Sequence, residues 1–187
     1  MRIKSYLLFA AVAVSLSACG GGGGDLIEAP PSTVVASSQT LTPGSTYKLV
    51  FSAISTAQLP APIGGIEVAV QLPVGLSVST VSTVSGTEEI AASSITSGSD
   101  VQWSPYGSYY SSTGIAHLNM ATTQSTYRSG QYLKLLFTVA AGTSVTPGDI
   151  TTLNATYPSY KVTGYDATTS SSVDMTNIVK TTLTVER

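Results

Sequence analysis

Charge is scarce in this chain. Acidic and basic residues make up 10% of its 187 positions, against ~25% in an average soluble domain. The few cations are also scattered, which excludes a nucleic-acid partner, because phosphate backbones are held by clustered Lys and Arg. Histidine and cysteine occur once each, as His117 and Cys19. A zinc site needs three or four such ligands, and a Cys–His nucleophile needs both side by side, so neither chemistry can be assembled. No Gly-x-Ser-x-Gly elbow occurs among the many serines. No disulfide can form within one chain that has a single thiol.

Long apolar runs are missing as well. Tyr6 to Val14, "YLLFAAVAV", is too short to cross ~30 Å of hydrocarbon. It follows Arg2 and Lys4, and a short apolar run behind a basic start reads as a signal peptide, here residues 1–18. Leu16, Ser17 and Ala18 precede Cys19, and this aliphatic-small-small-Cys order resembles the lipobox of bacterial lipoproteins. The resemblance implies that Cys19 becomes the lipidated first residue of the mature protein. Two or three acyl chains, at ~0.8 kcal/mol per buried CH₂, hold a protein on its membrane, whereas one chain alone is marginal. Gly20, where inner-membrane lipoproteins commonly carry Asp, implies the outer membrane of a bacterial cell envelope.

Five glycines follow Cys19, and residues 19–32 are mostly Gly, Pro and small residues without a sustained period, a tether. The mature chain carries six cations against ten acids, a side-chain charge of −4.

Residues 33–187 read as one all-β domain. Tyr47, Leu49, Phe51 and Ala53 recur at every second position and share one face, and Ile66, Val68, Val70 and Leu72 repeat the pattern. Further alternating segments are Ala116 to Met120, Leu133 to Val139 and Val179 to Val185, and Thr33 to Ser37 is a candidate first edge strand. Turn clusters separate them at Thr42, Pro60, Pro73, Thr96, Arg128, Thr146 and Val162. Many short strands at this spacing predict an antiparallel β-sandwich of about nine strands.

Two segments resemble the cohesin family: "PIGGIEVAVQLPVGLSV" from Pro62, and "GIAHLNMATTQSTYRSGQYLKLLFTVAAGTSVTPGDI" from Gly114. The resemblance runs from Thr33 to Arg187 and implies a jelly-roll-type, cohesin-like sandwich with a binding or scaffolding role. Cohesins bind dockerin modules. Gln71, Leu72 and Pro73 stand where cellulosomal members often have Tyr-Asp-Pro, so dockerin recognition is carried onto no residue. Cohesin-like domains also occur as solitary lipoproteins.

No catalytic residue, metal ligand or cofactor site is expected. His117 lies on the strand face opposite Ala116 and Leu118, which is a solvent-facing position. Glu88 and Glu89 are adjacent and project to opposite sides of a strand, the wrong geometry for a shared acid–base site. Asp149, Asp166 and Asp174 sit in or beside turns without calcium-loop spacing, and short acids there bond their own backbone. Asn154-Ala155-Thr156 matches an N-glycosylation acceptor.

The most unusual composition lies between Val101 and Gly114, where Trp103, Tyr106, Tyr109 and Tyr110 stand among Ser, Gly and Pro. Aromatic faces in such a loop suit sugar rings or partner side chains. The alternative is that Trp103 plugs the sandwich. The function expected is therefore a non-catalytic, lipid-anchored binding or scaffolding protein. Its partner would be a protein, dockerin-like or an envelope component; the alternative is a carbohydrate-binding module that uses the 103–110 loop on a polysaccharide.

Overall fold

The structure, a computed structural model, describes residues 32–84, 87–156 and 159–187. The leader 1–18, Cys19 and the tether as far as residue 31 lie outside the described residues. From Ser32 onward the chain forms a single unit of two packed antiparallel sheets.

In chain order the strands are β1 (Thr46–Ser55), β2 (Ile63–Gln71), β3 (Leu76–Ser77), β4 (Thr80–Val84), β5 (Thr87–Ile90) and β6 (Ile95–Ser97). There follow β7 (Tyr106–Tyr110), β8 (Ile115–Ala121), β9 (Gly130–Val139), helix α1 (Pro147–Leu153), β10 (Ser159–Asp166), β11 (Ser171–Asp174) and β12 (Val179–Glu186). The five-stranded sheet runs β12-β1-β9-β3, with β6 also on β9, and the seven-stranded sheet runs β11-β10-β2-β8-β7-β5-β4. The chain passes back and forth between the sheets, a jelly-roll-type path that puts strands distant in sequence side by side.

The described residues form twelve strands where about nine are expected. The shortest, β3 and β6, are two and three residues long, and β5 and β11 have four each. Segments that short carry too few alternations to register as a period of two.

The sandwich forms because period-two alternation gives each long strand one apolar side. Leu49, Phe51 and Ala53 of β1 stand opposite Leu135, Leu133 and Gly130 of β9, and Leu49 and Phe51 also stand opposite Val185 and Leu183 of β12. From the other sheet come Ile66, Val68, Val70, Ala116, Leu118, Met120 and Val162. Each of the Leu, Ile, Val, Phe and Met side chains among them, fully removed from water, contributes roughly 1.5–3 kcal/mol before the entropy of ordering it. Tyr47 stacks on Phe137 with ring centroids 6.0 Å apart, and Tyr132, fully buried beside Phe51, bonds the Thr181 hydroxyl at 3.0 Å.

The Thr146 cluster does not make a simple turn; it starts α1. Thr146 is the N-cap, Pro147 occupies the first turn, and Asp149 closes a capping box by accepting from the Thr146 N–H at 2.8 Å. Ile150 then fixes the helix against the core.

Residues 33–35 make a partial edge strand on β12. Val34 bridges Glu186, the Val35 N–H donates to Val185 at 2.8 Å, and Arg187 donates to the Thr33 carbonyl at 3.0 Å. The first described residues are thereby held where β1 begins and β12 ends, and Ser32 accepts from Lys48 there. The opposite end of the sandwich is where β1 finishes and β9 starts. The ten residues of β1, at ~3.3 Å each, put roughly 30 Å between the two ends.

Candidate functional site

The aromatic stretch from Val101 to Gly114 is not one loop. Tyr106 to Tyr110 is strand β7, hydrogen-bonded between β5 and β8. A strand points successive side chains to opposite faces, so the four aromatic residues divide. Tyr109 faces inward at 4% exposure, and its hydroxyl donates to the Leu76 carbonyl at 3.5 Å. Burial, and then the Glu88 carboxylate, raise its pKa. Trp103, before the strand, packs against the core and donates its indole N–H to the Tyr132 carbonyl at 2.6 Å. Tyr106 and Tyr110 point outward, Tyr106 with 60% of its surface exposed.

The outward pair belongs to the outer face of the seven-stranded sheet. Register aligns Lys161, Glu67, Asn119 and Tyr106 in one row across β10, β2, β8 and β7. The next row is Ala69, His117, Ser108 and Glu89. His117 is exposed and meets Tyr110 edge to face, centroids 5.4 Å apart at 78°. This face therefore offers two tyrosines, an imidazole and charges of both signs on a hydrogen-bonded, rigid base.

The acids take separate places. Glu88 accepts from the Thr80 and Ser111 hydroxyls at 2.8 and 3.2 Å, while Glu89 lies exposed on the outer face. Asp149, Asp166 and Asp174 each bond their own turn. Asp166 accepts from the Thr169 hydroxyl and the Thr168 N–H, both at 2.8 Å, and Asp174 from the Thr176 N–H at 2.9 Å. These bonds stabilise the ionised form and hold the three carboxyls below the usual Asp range. Among the described residues no three His, Cys, Asp or Glu side chains converge on a point where a metal could sit.

Asn154 is not presented as a glycosylation acceptor. Its buried amide accepts from the Gln71 N–H at 2.9 Å and donates to the Gln71 carbonyl at 2.7 Å, standing in for a neighbouring strand at the end of β2. It donates as well to Ile150 at 2.8 Å.

Two clefts lie at the ends of the sandwich. One, about 630 Å³, is bordered by Val74, Ser111, Thr113, Asp149 and Leu153. The other, about 580 Å³, lies at the end away from Ser32 and is bordered by Pro60, Pro62, Gln124, Arg128, Tyr165 and Asp166. The sequence marks the Pro60, Arg128 and Val162 clusters as turns, but the Val162 cluster, which contains Tyr165, forms the end of strand β10, because Val162 and Gly164 face inward and pair with β2. Nothing local shows that two turns and the end of β10, from distant parts of the chain, meet.

No family model matches the chain, and comparison with curated proteins and with solved structures likewise finds no match.

Proposed function

We propose that this chain is a non-catalytic, lipid-anchored binding or scaffolding protein of the bacterial envelope, whose cohesin-like sandwich engages a protein partner. The observation that carries the reading is the outer face of the seven-stranded sheet. Tyr106 and His117 are exposed there, with half-buried Tyr110 edge-on to His117, and Glu67, Glu89 and Lys161 lie on the same face. Protein interfaces favour tyrosine because it adds large contact area at small entropic cost and keeps a polar tip. Charges of both signs on the rim would give register and specificity more than affinity. A sheet paired on both sides of β7 and β8 holds these groups in place, so little ordering entropy is lost on binding. The signal-peptide pattern, Cys19 and the glycine tether support the anchored part of the reading.

Two measurements test it. Cys19→Ser should move the protein from the membrane fraction to the soluble fraction of its native host, and intact mass should show the acyl chains on wild type alone. A photo-reactive residue at position 106 should join the chain to a discrete partner in cells. The same residue at position 54, on the outer face of the other sheet, should not. Equal labelling from both positions, or an unacylated wild-type terminus, overturns the proposal.

A further inference from the structure

The geometry points to a second binding site, for a neutral saccharide, in the cleft between the Pro60–Gly64, Thr122–Arg128 and Tyr165–Thr168 segments. Its volume of about 580 Å³ falls within the ~300–1,000 Å³ of small-ligand sites. The lining combines the two kinds of surface that a sugar ring presents. Tyr165 lines it with 53% of its surface exposed, and Pro60, Ala61 and Pro62 add rigid apolar wall for the C–H faces of a pyranose. Arg128, Asp166 and Gln124 supply planar polar groups for hydroxyls.

Those groups have capacity to spare. Arg128 has five N–H donors, and its one hydrogen bond among the described residues is from Nη1 to the Leu59 carbonyl at 3.4 Å. Asp166 accepts one short bond on each oxygen from its own turn, which orients the carboxylate and leaves a lone pair on each oxygen. The Tyr165 hydroxyl has no partner among the described residues. Gln124 is held by the Gln102 N–H at 3.4 Å and donates to Thr126 at 3.3 Å, so its amide is set before any ligand arrives.

Charge selects the ligand class. One cation and one anion line the cleft, so a charged ligand would meet as much repulsion as attraction, while a polyol can accept from Arg128 and donate to Asp166 together. The cleft also lies at the end of the sandwich away from Ser32, where a long glycan can enter without meeting the point at which the tether joins. None of the residues lining this cleft is among those assigned to the protein partner, so each proposal can fail without the other.

The test is titration calorimetry of the full chain in detergent with cellohexaose, maltohexaose and chitohexaose, and with hexagalacturonate as the charged comparison. At least one neutral hexasaccharide should bind with millimolar or tighter affinity and more tightly than hexagalacturonate. Tyr165→Ala should weaken it about tenfold, near the worth of one aromatic contact. Tyr165→Phe should retain it, which separates loss of the ring from loss of the fold. Arg128→Ala should weaken it severalfold, and Tyr106→Ala should leave it unchanged. Silence from all three neutral sugars overturns the inference, as does undiminished binding by Tyr165→Ala or equal or tighter binding of hexagalacturonate.

Discussion

The stretch from Val101 to Tyr110 and the cleft around Tyr165 carry similar residue types and do opposite things. In the first, aromatic residues adjacent in sequence are separated by strand geometry, and Trp103 and Tyr109 become core. In the second, residues from two distant turns and the end of β10 converge, and Tyr165, which the sequence placed in a turn, becomes exposed lining. The first region also supports the second. Gln102 donates to Gln124 through its N–H and accepts from Thr122 through its carbonyl, so the chain beside Trp103 braces a loop that lines the cleft. Aromatic density marks what holds the site in place, and the surface that could touch a ligand is an assembly of turns and a strand end with one tyrosine.

Stability measurements sharpen this contrast, starting with the core aromatics. Tyr109→Ala and Trp103→Ala should each cost about 3–5 kcal/mol, because each empties buried space and strands a polar partner. Trp103→Ala falls at the low end, since its ring is only partly buried. Urea unfolding followed by circular dichroism reads the loss, and a cost near zero for either would make that residue a surface group.

Gly164 comes next. It opposes Ile63 at a bulge between β10 and β2, and a methyl group there would meet the Met175 methyl at 2.7 Å and the Pro62 carbonyl at 2.9 Å. Gly164→Ala should cost about 1–3 kcal/mol. It should also shift Pro62 and weaken saccharide binding, whereas Gly44→Ala, on a turn with open space around it, should not affect binding. Tyr106→Ala should change stability by no more than about 0.5 kcal/mol, as expected for an exposed side chain without hydrogen-bond partners among the described residues.

The smallest effects are those of pH. Asp149, Asp166 and Asp174 have folded-state pKa values below their unfolded ones, so the native state binds fewer protons. Their stabilisation is complete above about pH 4 and is lost as pH falls through the depressed folded values. Tyr109, Tyr127 and Tyr132 are shifted upward, chiefly by burial. Their contribution is full below about pH 10 and declines as pH rises from there toward the raised values. Thermal melts should therefore hold a plateau between these limits and fall at both ends. A transition centred near neutral pH would contradict this account.

Much of the framework is legible in the chain because alternation is a local property. The strands around Phe51, Val68, Leu118, Leu135 and Val185 all carry it, and each puts its apolar side inward. The outward position of His117 and the self-bonding of the turn acids follow from equally local chemistry. Strand β7 is harder to see, because its inner positions are Gly107 and Tyr109 where a repeat of similar residues would be recognisable. Gly107 is required because a methyl group there would lie 2.5 Å from the His117 carbonyl, a cross-strand distance that no local pattern encodes. Asn154 is misleading for the same reason: its amide serves Gln71, eighty-three residues away.

By itself, then, the sequence determined an all-strand domain, the inward side of its long strands and the absence of paired His or Cys chemistry, because periodicity and composition act within a few residues. The three-dimensional arrangement decided which aromatics are buried, that Asn154 closes the end of a strand, and that Pro60, Arg128 and Tyr165 border one cleft. Those outcomes depend on which strands lie side by side, and register is set by packing of the whole sandwich.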